Sequence, residues 1–200
     1  MRGLLLKDFY IIRSLVILLL VVYLVIGISL SYLATPWVLV VLATAMLGMI
    51  ISSTINVDKS CGWIRTVAIT PAGRQTYING KYLLYLLLSA AGLVFGVVFG
   101  AVATLLAGST VEEAYLYLWI SAVLALIAGS ILMPCHFLLD EMKSTIGTIA
   151  AYPAAAGFFV VFVLLLGASP LACAVTLILS VCAFGGSWQA TKKILERKDL

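Results

Sequence analysis

His136 is the single histidine of the chain and stands just before Asp140 and Glu141. An imidazole near carboxylates is the arrangement that general acid–base chemistry uses. The same position, at the inner end of a long apolar run, also lets an imidazole meet the negative end of a helix dipole. A structural interfacial histidine is therefore the expected role, with a membrane-embedded enzyme as the rival. Gly80-Lys81 matches the glycine–lysine pair of a phosphate-binding loop but not the rest. The G-x-x-x-x-G-K-[ST] pattern needs a glycine where Gln75 stands and a serine or threonine where Tyr82 stands. No ATP site of the Walker type is expected, and no other cofactor. Cys61, Cys135, Cys173 and Cys182 lack C-x-x-C spacing, so they are expected to behave as small hydrophobes rather than as a metal or disulfide framework.

Chemistry is sparse because of what the elements must be. Of the 200 residues, 64% are hydrophobic and 10% charged, against about half and about a quarter in a soluble domain. So few charges cannot make a water-facing surface, and the solvent for most of the chain is lipid. Crossing a bilayer core takes roughly 20 helical residues. Uncharged runs of that length occur at 14–34, 36–55, 82–107, 114–139, 145–166 and 170–190. The expected fold is an all-α integral membrane protein, one transmembrane domain over 1–200 with six spanning helices. The start carries the basic flank of a signal peptide, yet its apolar run is too long for cleavage, so a retained anchor is expected.

The basic residues set the orientation. With both termini inside, the cytoplasmic pieces are 1–13, 56–81, 140–144 and 191–200, and they hold all 12 lysines and arginines. The outer connections keep only Glu112 and Glu113. The positive-inside rule then places both ends in the cytoplasm. The 1–13 segment, with Leu4, Leu5, Phe9 and Ile12 near one face, suits either a short interfacial helix or a plain basic flank.

The 56–81 connection is the most informative stretch. Asn56 or Asp58 can cap a short helix in which Trp63 and Val67 lie one turn apart, with Ile64 and Ala68 beside them and Lys59 and Arg65 off that face. Thr70-Pro71 has the form of an N-cap followed by proline at the first helical position. A second helix would then run through Arg74 and Lys81 into the third span. The alternative is an ordinary interfacial loop with a tryptophan anchor. Within the spans, Gly92, Gly96, Gly100 and Thr104 form a small-residue stripe that invites close helix packing, inside the subunit before between subunits. A weaker stripe runs through Ser121, Ala125 and Gly129. Pro134 frees a carbonyl one turn earlier, near Ser130, and is either a simple kink or a possible hinge.

These features resemble the permease subunits of ABC exporters of the ABC-2 class. The likeness is closest to the short bacterial six-span permeases that include exporters of phenol-soluble modulins and other amphipathic peptides. Such proteins open like M-x-G-L-L-x-K-D-F, and this chain reads MRGLLLKDF. They continue with an Asp, a Gly-Trp pair, a Pro-x-x-R and a Lys-Tyr, here Asp58, Gly62-Trp63, Pro71 to Arg74 and Lys81-Tyr82. A proline before a short polar inner end of the fourth span is matched by Pro134 and DEMKS. The chain departs from the pattern in the Ala-Gly of 72–73 and at Cys135 and His136.

The resemblance implies a multi-pass protein of the bacterial cell membrane, acting with a second permease copy (homodimer) or a paralogous one, surrounded by lipid and without a nucleic-acid partner. A separate cytosolic ATPase would hold the ATP and magnesium. A coupling helix between helices 2 and 3 would dock on it through Asp58, Lys59, Trp63, Ile64, Arg65, Val67 and Arg74. Asp140, Glu141 and Lys143 would make a second, smaller contact. The rival classes are a self-contained carrier or channel, the His136 enzyme, and a non-transporting scaffold or immunity protein.

Overall fold

The computed structural model describes residues 2–33, 35–63, 66–67, 73–107, 114–166 and 170–197. Among them the regular structure is helical throughout, in six long helices, α1 Arg2–Leu33, α2 Val38–Ser60, α3 Gly73–Ala107, α4 Ala114–Leu138, α5 Glu141–Leu166 and α6 Pro170–Arg197, with further helical residues at Trp63, Thr66 and Val67. Each of the six is long and apolar enough to cross a membrane, as the uncharged runs predict. The chain is a multi-pass membrane protein.

The helices outrun the apolar stretches at the end where the charges gather. At about 1.5 Å per residue the 35 residues of α3 extend about 52 Å, well beyond a hydrocarbon core of about 30 Å. α1 is likewise continuous for 32 residues. No turn separates the 1–13 segment from the first span, so it is not a separate interfacial helix. The amphipathic reading of that segment also inverts in part: Phe9 is exposed while Asp8 and Ile12 are buried. An aromatic ring facing lipid costs nothing, and Asp8 goes inside because cationic partners wait there. α2 passes the expected boundary at residue 55 and stops at Ser60. Gly62, at a φ of +66°, then takes the left-handed conformation that ends helices.

α2 and α4 form the centre, with 50% of their most apolar stretches buried, against 11% for α1 and α5. α3 lies along α2 through its glycines. A Cβ on Gly92 would come within 2.7 Å of the Ala43 carbonyl oxygen, and one on Gly96 within 2.6 Å of the Val40 Cα. Gly100 faces the Trp37 ring, and the Thr104 hydroxyl donates to the Gly100 carbonyl at 2.7 Å. The stripe thus packs within the subunit. Gly129 on α4 leaves room for the Tyr85 ring, whose hydroxyl donates to the Ala125 carbonyl at 2.6 Å. Pro134 sits inside α4. The Ser130 carbonyl it frees accepts a hydrogen bond from Ser187 Oγ of α6 at 2.8 Å. α1 is applied more loosely. Tyr23 packs on Phe95 and Phe99 toward its far end, and a shallow apolar crevice lined by Leu19, Tyr23, Met46 and Phe95 runs beside its middle.

Candidate coupling site at the charged end

Four charged side chains from three helices meet at the level where the apolar stretches end. Asp8 comes from α1, Asp58 from the last turn of α2 and Lys81 from α3; all three are buried. Lys81 Nζ lies 2.9 Å from Asp8 Oδ1 and 2.7 Å from Asp58 Oδ2. Lys7 Nζ bonds to Asp58 Oδ1 and lies 3.6 Å from Asp8 Oδ1. The Tyr77 hydroxyl donates to Asp58 Oδ2 at 2.8 Å. Two cations and two carboxylates make the cluster neutral. Burying charge is costly unless each ion is paired and hydrogen-bonded, and this cluster meets that condition.

The 61–72 connection leaves from this cluster. Among its described residues, Trp63, Thr66 and Val67 are helical. Val67 is buried, and the half-buried Trp63 holds its ring 4.6 Å from Lys7 Nζ, a cation–π contact. The face shared by Trp63 and Val67 is therefore turned toward the bundle, while Cys61, Gly62 and Thr66 are exposed. Lys59 Nζ donates to the Leu139 carbonyl at 2.7 Å, tying the end of α2 to the turn that opens α5. In that turn Asp140 is exposed, and Lys143 is exposed one turn further on. Arg74 and Glu141 stand in the first turns of α3 and α5. Ile64, Arg65 and the Thr70-Pro71 cap lie outside the described residues. Asp58, expected at the surface, stands instead inside the ionic cluster.

A second polar seam fastens α3 to α6. The Tyr82 hydroxyl lies 2.9 Å from Thr191 Oγ1 and 3.2 Å from Ser187 Oγ. Its ring stacks on Trp188 at 5.5 Å, and Trp188 Nε1 donates to Asn79 Oδ1 at 3.0 Å. His136 serves the α4–α5 pair. Its Nε2 lies 2.7 Å from the Thr148 hydroxyl, a hydrogen bond between the two helices. The histidine thereby acts as a buried fastener between helices. No cluster of three or more metal-ligating side chains occurs among the described residues.

Sequence reasoning missed the ionic cluster because each member reads as a flanking charge. One signal was present: Lys7, Asp8, Asp58 and Lys81 all sit at span ends on the same side, in balanced numbers.

Six helices long enough to span a membrane, joined at one end by a buried ionic cluster, define a multi-pass membrane protein. The family model of the ABC-2 family transporter proteins matches residues 3–195, and the chain belongs to that family. It is thus an ABC-2 type permease, the membrane-embedded component of an ABC transporter, and membership of the family implies association with an ABC ATPase subunit. No curated protein and no solved structure matches the chain.

Proposed function

We propose that this chain is the permease subunit of an ATP-driven exporter, moving an amphipathic peptide or another hydrophobic cargo out of the cytoplasm or the inner leaflet. A separate cytosolic ATPase would supply the energy, and two permease copies would form the pathway in a bacterial cell membrane, with both termini of each copy inside. The observation that carries the reading is the 61–72 connection, set at the charged end and joined there to α1, α2 and α3 through one cluster. All lysines and arginines fall at that end of the sequence pattern, which supports a cytoplasmic location.

The exposed residues Cys61 and Thr66, with Asp140 and Lys143 across the α4–α5 turn, would meet the ATPase. Trp63 and Val67 would seat the connection on the bundle, so that ATP-driven movement of the partner biases the helices between two states.

Cys61 offers a direct test. With the other three cysteines replaced by serine, a photo-cross-linker on Cys61 should capture an ABC ATPase subunit in cells that produce both proteins. Capture from a site on the opposite face instead, or transport of an amphipathic peptide by the purified chain without ATP, would replace this reading with a self-contained carrier.

A further inference from the structure

Lys7 belongs to three parts of the molecule at once. Its backbone is α1, its ammonium bonds to Asp58 at the end of α2, and the Trp63 ring of the connection covers it. Asp8 Oδ1 at 3.6 Å is a second carboxylate within reach. Lys81 also faces both carboxylates, so the four charges form a ring in which every member has two partners. A lone buried pair can only hold or break, and breaking leaves uncompensated charge. A ring allows α1 to shift and exchange partners while every charge stays paired. Lys7 is also the least enclosed member, its side chain 28% exposed where those of Asp58 and Lys81 are 2% exposed. α1 is poised to follow such an exchange, since apart from the ring its described buried side chains are few, chiefly Ile12 and Tyr23.

We infer that Lys7 is a positioning residue that carries displacement of the Trp63 connection into the inner end of α1, while Asp58 and Lys81 hold α2 to α3 as the fixed side of the joint. The inference rests on the permease reading only for the source of the displacement, an ATPase seated on the connection.

The test needs no ATPase, so the joint and the docking can fail separately. Spin labels at Y10C on α1 and L83C on α3, both exposed positions, report the α1–α3 distance in the full chain in lipid nanodiscs, with the native cysteines replaced. A reference pair at V57C and L83C reports α2 against α3. Trp63→Leu is expected to abolish the single narrow 10–83 distance while leaving the 57–83 distance intact. Lys7→Gln is expected to do the same, Lys7→Arg to restore it, and Trp63→Leu to add nothing once Lys7→Gln is present. Additive effects of the two substitutions, or an α1 position indifferent to Trp63, would overturn the inference. So would an equal disturbance of the reference pair, which would make the ring a static fastener.

Discussion

The two ends of the α2–α3 contact are built on opposite principles. Deep in the membrane the helices meet through Gly92 and Gly96, with backbone against backbone and no room for a methyl group, while Gly100 lies against the Trp37 ring. At the charged end they meet through Asp58 and Lys81, with α1 drawn in by Asp8 and Lys7. In hydrocarbon no hydrophobic force drives helices together, so close packing of small residues must do it. Such a seam has one optimal geometry and resists change. Charges tolerate exchange of partners, but only where each has more than one within reach. The molecule thus carries a rigid seam and an adaptable joint on the same helix pair, and the adaptable one lies beside the connection to the outside.

The comparison breaks most visibly at Lys81. Lys81→Met leaves two buried carboxylates sharing Lys7, and should destabilise the fold by about 3–5 kcal/mol, as expected when one member of a buried ionic group is removed. Unfolding by SDS in mixed micelles would measure it. Adding Asp8→Asn restores neutrality and should recover most of the loss, because the cost comes from uncompensated charge rather than from a missing contact. At the rigid seam, Gly96→Leu forces atoms into the space of the Val40 backbone. A loss of about 1–3 kcal/mol is expected, typical of overpacking. There no second substitution on a charged residue should compensate. Compensation at Gly96, or its absence at Lys81, would erase the distinction between the two regions. A smaller effect is expected at Tyr85→Phe. The lost hydroxyl donates to Ala125, a carbonyl inside α4, so the cost should be about 0.6 kcal/mol, the average for polar contacts between membrane helices, measured in the same assay.

Much of the architecture is legible in the sequence because lipid constrains it so strongly. Charge-free runs mark the six spans, and the small-residue stripe on α3 is visible at every fourth position. Which helix the stripe faces is not visible, since an i, i+4 pattern names a face but not its neighbour. The same limit hides the ionic ring. Asp8 and Asp58 lie 50 positions apart in sequence, and each reads as an ordinary flank until α1 and α2 are laid side by side. For that reason Asp58 reads as a cytosolic contact, although it lies inside. The end of α2 is misjudged by the same cause, because a charge paired internally does not oblige the helix to stop.

Pro134 shows what a local rule can and cannot foresee. A proline in a helix must free the carbonyl four residues back, so an unsatisfied Ser130 oxygen follows from the sequence. Its new partner, Ser187, comes from α6 and follows only from packing. The hydrogen bond should then matter only because of the proline. Ser187→Ala is expected to cost about 0.6 kcal/mol, in the range for interhelical polar contacts in membranes. Tyr82 is not orphaned by the change, since Thr191 remains 2.9 Å away. In a Pro134→Ala background the residue-134 amide can take back the Ser130 carbonyl, and the Ser187→Ala cost should shrink toward zero. A double-mutant cycle in the SDS assay measures that coupling. Strict additivity would mean that Ser187 serves Tyr82 alone and that the freed carbonyl is satisfied in another way.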